Sequence, residues 1–256
     1  MELEKIKNFI VEWIDDYTKK HCIKNLIVGI SGGIDSALTS TLCAMTGINT
    51  IVVSLPISQS KNELENAIKH MNWLNQNYPN IHATTIELTE LLEKYRKTIP
   101  KNYHSDLGFA NTKARIRMMT LYQIASTHNG IVVGTGNKIE DFGIGFFTKY
   151  GDGGVDISPI ADLTKSEVRK LSELCGIIPE IITAKPTDGL WEDNRTDEDQ
   201  IGATYEELEW AMDFQSNRDT TEREKKVLNI YKDLNNKNKH KMAPIPICKI
   251  PKEVES

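Results

Sequence analysis

Residues 29–36 read Gly29-Ile30-Ser31-Gly32-Gly33-Ile34-Asp35-Ser36, small residues carrying two hydroxyls and one acid. The run lies between an apolar stretch, Asn25-Leu26-Ile27-Val28, and the helically spaced Ile34, Leu38, Leu42 and Met45. A strand ending in such a turn, with a helix opening after it, gathers bare backbone N–H groups and the positive end of a helix dipole around one space. That space suits an anion, phosphate above all. No Lys follows the glycines, and the spacing is not Gly-x-Gly-x-x-Gly, so neither common nucleotide fingerprint applies. Asp35 stands where a lysine would. A carboxylate there repels polyphosphate unless a divalent cation lies between them, so the turn predicts a nucleotide with Mg²⁺. An ordinary capping turn has little use for Ser-Gly-Gly followed by Asp-Ser.

A second acid follows another apolar run. Gly134-Thr135-Gly136-Asn137-Lys138-Ile139-Glu140 comes after Ile131-Val132-Val133. On local grounds Thr135 caps a short helix and Glu140 favours its dipole. On functional grounds Glu140 reaches the crevice of Asp35 and supplies a second oxygen to Mg²⁺. Arg115 and Arg117, two positions apart on an expected helix, cannot share a face, so one is free to bind an anion while the other meets a surface acid. The loop 148–156 is rich in Gly and Asp, but its spacing is not that of a calcium-binding EF-hand. Lys165, near an expected helix start, is poorly placed for the dipole, which implies an anion that holds it.

These residues need a scaffold, and the pattern predicts one. An amphipathic helix covers 2–20, followed by strand 25–30, helix 34–46, strand 49–55, helix 60–77 and strand 82–88. Helices 89–97 and 108–128, strand 130–134 and helix 164–175 come next. An irregular stretch, 184–196, precedes helices 197–216 and 220–236 and a Pro-spaced tail, 243–252. Ile51-Val52-Val53 and Ile131-Val132-Val133 are apolar throughout, as expected of parallel strands covered on both faces. The expected fold is therefore α/β, a doubly wound parallel sheet with helices on both faces and ligands beyond the carboxyl ends of its strands.

With 256 residues, 39% of them hydrophobic and 26% charged, the chain suits one α/β domain spanning 1–256. A net charge of −5 argues against nucleic acid as the main partner. No apolar run reaches membrane-spanning length and no secretory signal opens the chain, so cytoplasm is the expected compartment. Cys22, Cys43, Cys175 and Cys248 are widely spaced, which argues for reduced thiols and against disulfides or a zinc knot. Asn194-Arg195-Thr196 matches a glycosylation acceptor, without consequence in a cytoplasmic protein.

Ser31-Gly32-Gly33-Ile34-Asp35-Ser36 resembles the signature loop of the ATP pyrophosphatases, which cleave ATP between its α- and β-phosphates to adenylate an acceptor. The loop alone does not choose the acceptor. Asn111 to Met119, Gly134 to Glu140, Gly145 to Lys165, Lys185-Pro186-Thr187, Thr196-Asp197-Glu198, Ile201 to Tyr205 and Lys239-His240-Lys241 narrow the resemblance. Together they are similar to NAD synthetases of the short, ammonia-using type, and Phe146 to Gly154 is the most specific block. The resemblance implies ATP-dependent amidation of deamido-NAD to NAD⁺ by ammonia, through an acyl-adenylate, with release of AMP and pyrophosphate. It assigns ATP to Gly29, Ile30, Ser31, Gly32, Gly33, Ile34, Asp35, Ser36, Thr135, Lys165 and Thr187. It assigns deamido-NAD to Arg115, Lys149, Asp156, His240 and Lys241, and Mg²⁺ to Asp35 and Glu140, with Asp35, Glu140 and Lys165 catalytic.

The same resemblance implies a homodimer with the dinucleotide across its interface. Helical stretches such as 115–125 serve either that surface or the core. Residues 1–24 are too few for a glutaminase domain, so the expected nitrogen source is free ammonia or a separate partner. Gly136-Asn137-Lys138 stands where some relatives carry Asp-His, and no ammonia-handling residue is assigned there. Two rival readings keep the loop: an ATP pyrophosphatase acting on a tRNA base or purine nucleotide, and a non-catalytic nucleotide sensor. The acidic chain and the lack of a Cys pair weigh against tRNA, and a sensor has little use for Asp35 and Glu140 together.

Overall fold

The computed structural model describes residues 2–58, 61–187, 189–191, 195–215 and 218–251. Strands β1 (Asn25–Gly29), β2 (Asn49–Ser54), β3 (Ile81–Thr85) and β4 (Gly130–Val132) form a parallel sheet in the order β3-β2-β1-β4. Asn25 of β1 pairs with Asn49 of β2 on one side and with Gly130 of β4 on the other. Beyond β4, Val133 bridges Ile157 in parallel, and the Gly134 N–H donates to the Ile157 carbonyl at 2.7 Å. The strand order thus runs outward in both directions from between β1 and β4. In an open α/β sheet that reversal leaves a crevice at the strand ends where ligands bind.

Helices α1 (Glu2–Lys20), α2 (Ile34–Met45), α3 (Lys61–Asn77), α4 (Thr89–Thr98) and α5 (Asp106–Thr127) accompany the strands. Alternation along the strands divides them between two cores. Leu26, Val28 and Val52 face α1, α2 and α3, whereas Ile27, Val53 and Val132 face α4 and α5. After the sheet come a π-helical segment (Ile139–Ile144), α6 (Lys165–Leu174), α7 (Pro179–Ile182), α8 (Asp197–Ile201), α9 (Tyr205–Asp213) and α10 (Glu222–Met242). A third apolar cluster joins Ile139 and Ile144 to Ile201, Tyr205, Leu208 and Val227. It fastens the last helices onto the segment that follows β4.

The doubly wound parallel fold read from the sequence is present. Its elements differ at several boundaries. The helix expected over 197–216 is two, because Gly202 adopts φ +84° and ends α8, and Thr204 opens α9 with a capping box. The helix expected over 220–236 continues to Met242, where Lys239, His240 and Lys241 complement the negative end of its dipole. Strand 82–88 begins at Ile81 and closes at Thr85, and α5 starts earlier than expected because Ser105 caps it through the Gly108 N–H. The boundaries expected at 60, 216 and 252, and Asn194 of the glycosylation sequence, lie outside the described residues. Among the described residues no helix is long and apolar enough to cross a membrane.

Candidate active site

β1 delivers the chain into residues 30–33, and α2 starts at once. Gly32 takes φ +92°, and a Cβ there would stand 2.3 Å from the Glu63 carbonyl on α3, so only glycine lets the two backbones meet. The hydroxyls of Ser31 and Ser36 lie 3.1 Å apart; Ser31 Oγ accepts the Gly33 N–H at 3.1 Å and Ser36 Oγ donates to the Gly33 carbonyl at 2.9 Å. These bonds brace the turn from within. No side chain caps α2, whose first turn lines a cavity of about 940 Å³ at the strand ends. Uncapped N–H groups on such a wall favour an anion.

Asp35 and Glu140 meet in this cavity. β1 and β4 are hydrogen-bonded neighbours, so residues just beyond their carboxyl ends approach one another. The Lys165 ammonium joins them: Nζ lies 2.5 Å from Asp35 Oδ2 and 3.1 Å from Glu140 Oε1. Lys165 itself is 4% exposed. Its place at the head of α6 opposes the dipole, and the anions that hold it there are these two carboxylates. Asn137 links the group to the backbone. Its Nδ2 donates to Asp35 Oδ1 at 3.2 Å, while its Oδ1 accepts the N–H groups of Ile139 and Glu140 at 3.1 Å each. Asn137 therefore does the capping that local sequence suggested for Thr135, because it sits one turn before those N–H groups. Thr135 lines the cavity instead.

Burial sets the electrostatics. It opposes the charge on Lys165, but Asp35 and Glu140 outweigh it and hold the ammonium above its ordinary range. Burial also works against Glu140, where Lys165 and the Tyr205 phenol prevail and hold the carboxyl below its ordinary range. Asp35 stays above its own, since burial and the Glu140 charge exceed the help of Lys165. Two further acids line the cavity. Burial, then Glu140 and Asp152, push Asp141 up to about 7. Asp152 is open to the cavity's solvent yet surrounded by protein, which pushes it up to about 6 against the Thr148 N–H that it accepts at 3.0 Å.

Thr187 lines the same cavity and donates to Glu63 Oε1 at 2.9 Å. The residues assigned to a dinucleotide fall elsewhere. None of Arg115, Lys149, Asp156, His240 or Lys241 is among the residues lining the cavity. Arg115 is exposed and donates to the Lys149 carbonyl at 3.3 Å; Lys149 Nζ reaches the His240 carbonyl at 3.1 Å, and Lys241 Nζ the Phe147 carbonyl at 2.7 Å. They form a second, basic group around residues 147–150. Asp156 is tied to the sheet, accepting the Val132 N–H at 2.8 Å and the Tyr122 hydroxyl at 3.1 Å. Of the two arginines on α5, Arg117 lines the cavity, and its Nε donates to the Leu55 carbonyl at 3.0 Å.

Sequence reasoning gave no role to Asn137, Asp141, Asp152 or Tyr205. Asp152 carried a visible signal, an acid in a Gly-rich loop. Tyr205 stands in one of the blocks that carry the resemblance, but its contact with Glu140 spans 65 positions and no local pattern pairs the two.

A cavity at the switch point of a doubly wound sheet, an uncapped helix start and half-buried paired acids together make a site suited to an anion and a cation. Comparison with known proteins gives it a family. The NAD synthase family model matches residues 6–244. A relative from Methanococcoides burtonii, called NH(3)-dependent NAD(+) synthetase, is 41% identical over 219 residues, 83% of this chain and 80% of its own. The fold is similar to that of an NMN synthetase from Francisella tularensis, at TM-score 0.88 and 29% identity over 98% of this chain and 100% of that one. It is also similar to an NH3-dependent NAD synthetase from Campylobacter jejuni, at TM-score 0.77 and 26% identity over 97% and 100%. With the match running from α1 into the segment after α10, this chain belongs to the NAD synthase family of enzymes.

Proposed function

We propose that the chain amidates deamido-NAD with ammonia at the expense of ATP, giving NAD⁺, AMP and pyrophosphate. One observation carries this reading: Asp35, Glu140 and Lys165 converge beside the uncapped start of α2 at the sheet's switch point. The 29–36 turn and α2 receive the phosphates, with Thr135, Lys165 and Thr187 alongside. Asp35 and Glu140 fit Mg²⁺, because their oxygens already converge on one cation. Among the described residues no group of three or more His, Cys, Asp or Glu could hold a metal alone, so such an ion would take its remaining ligands from phosphate and water. Asp35 and Glu140 would hold Mg²⁺, whose positive charge would offset their repulsion of polyphosphate.

The nicotinate carboxylate oxygen attacks the α-phosphorus, the bond to the β-phosphate oxygen breaks, and pyrophosphate leaves. Loop N–H groups and Lys165 stabilise the departing charge. Ammonia then attacks the acyl carbon, the C–O bond to the phosphate breaks, and AMP leaves with that oxygen. The proton lost from nitrogen needs an acceptor. Asp141 and Asp152, tuned to about 7 and 6, face the cavity in a range suited to taking it. Arg115, Lys149, Asp156, His240 and Lys241 bind the acceptor's dinucleotide from outside the ATP cavity. That arrangement suits an acceptor shared between two copies of the chain in a homodimer.

A second reading shortens the acceptor. The likeness at TM-score 0.88 to a protein called an NMN synthetase favours nicotinate mononucleotide as the carboxylate that is amidated. The chemistry is unchanged; the basic group around residues 147–150 would then have no adenylate half to bind. Purified protein given ATP, MgCl₂, ammonium chloride and either acceptor separates the readings by chromatography of AMP and the amidated product. Faster turnover of deamido-NAD supports the first and faster turnover of the mononucleotide the second. AMP release independent of both acceptors overturns each.

A further inference from the structure

The proposed reaction engages Asp35, Glu140 and Lys165 but gives no work to the helix packed over them. α9 opens with a capping box in which Thr204 Oγ1 accepts the Glu207 N–H and Glu207 accepts the Thr204 N–H. That cap fixes Tyr205 as the first helical residue, 3% exposed. Its hydroxyl donates to Glu140 Oε1 at 2.5 Å and lies 3.4 Å from Asp197 Oδ2. The Lys165 ammonium stands over its ring, 4.7 Å from the centroid. One turn further on, Glu209 Oε1 accepts the Ser166 N–H at 2.8 Å and so anchors the first turn of α6, which carries Lys165. One short helix therefore grips the carboxylate and the ammonium at once.

We propose that Tyr205 is a positioning residue for nucleotide binding, its hydroxyl fixing the Glu140 carboxylate and its ring fixing the Lys165 ammonium. Glu140 needs such a partner. It belongs to a π-helical segment, whose backbone is held by Asn137 but whose side chain projects from an uncommon and locally weak geometry. A short hydrogen bond to an ionised carboxylate is among the strong ones, and an ammonium over a buried aromatic face is held electrostatically as well. Asp35 gets its support from Asn137 instead, so the two acids are aimed by different elements.

The inference rests on the reading that the cavity takes Mg·ATP. Titration calorimetry with the non-hydrolysable α,β-methylene-ATP, with and without MgCl₂, tests both without turnover. The proteins are the full-length chain, Tyr205→Phe, Glu140→Gln and the double variant. Tyr205→Phe keeps the ring beneath Lys165 and the packing against Ile139 and Leu208. It should weaken Mg-dependent binding about 10-fold, the usual effect of removing a group that orients a metal-binding carboxylate. Its melting temperature should fall by about 5 °C, the cost of one hydrogen bond to a charged group, which leaves it folded at the titration temperature. The double variant should bind no more weakly than Glu140→Gln alone, since the hydroxyl acts through that carboxylate. Unchanged affinity in Tyr205→Phe, or losses that add in the double variant, would overturn the inference while leaving the reading intact. A parent chain that binds no analogue overturns the reading, and the inference falls with it.

Discussion

At the scale of single residues, Lys165 decides how two acids can share this cavity. Two half-buried carboxylates a few ångströms apart would repel, and the buried ammonium between them removes most of that cost. Lys165→Met keeps the volume and deletes the charge. It should destabilise the protein by about 3–5 kcal/mol in urea unfolding, the usual result of stripping one partner from a buried ion pair. Added Mg²⁺ should return part of that loss if the two acids accept a cation. His70 offers a cleaner titration. It is 0% exposed on α3, its Nε2 meets Ser40 Oγ at 3.0 Å, and burial lowers its pKa to about 4. In the unfolded chain an imidazole takes its proton near pH 6.5, so between about 6.5 and 4 the unfolded state binds more protons and stability falls as pH falls. Against His70→Gln, the parent should lose about 3 kcal/mol on going from pH 7 to 4, measured by urea unfolding at each pH.

At the scale of elements, the turn before α2 and the turn before α9 depend on glycine for different reasons. Gly32 needs both its left-handed φ of +92° and the absence of a Cβ against the Glu63 carbonyl. Gly202 needs only its φ of +84°, with the nearest atom to an added Cβ 3.8 Å away on Ile230. Gly32→Ala should therefore push α3 from the loop, costing more than 2 kcal/mol and abolishing most binding of an ATP analogue. Gly202→Ala should cost about 1 kcal/mol, the strain of a left-handed alanine alone. Thermal unfolding and calorimetric titration of the two variants give both quantities. Gly202 also shows how an element was misread. The apolar spacing over 197–216 suits one helix, yet the Gly and the Thr204…Glu207 cap after it were readable as a stop and a restart.

At the scale of the whole molecule, the basic group around residues 147–150 stands apart from the cavity at the strand ends, while the proposed reaction draws on both. If the acceptor is shared between two copies, Lys149→Ala and Lys241→Ala should raise KM for the acceptor about 10-fold and leave KM for ATP nearly unchanged. Specific activity should also fall on dilution in step with dissociation followed by sedimentation equilibrium. Concentration-independent activity from a monomer would show that one copy suffices. The sequence pattern made the parallel sheet readable because strands buried on both faces must be apolar throughout. It also made the shared cavity of Asp35 and Glu140 readable, since both follow such strands. It could not show that Arg117 and not Arg115 enters the cavity, because the pitch of α5 separates their directions without saying which one meets β2.

What the amino-acid order determined by itself is local: a Gly-rich turn between a strand and a helix, a helix start without a side-chain cap, and a lysine that must answer to an anion. These follow from backbone sterics and dipoles, which act over a few residues. The tertiary structure alone decided that Lys165's anions are Asp35 and Glu140, that Asn137 holds both acids' segments, and that Tyr205 closes the group from above. Those contacts join α2, the π-helical segment, α6 and α9. The third apolar cluster packs α9 and α10 onto the π-helical segment, which sets Tyr205 against Glu140.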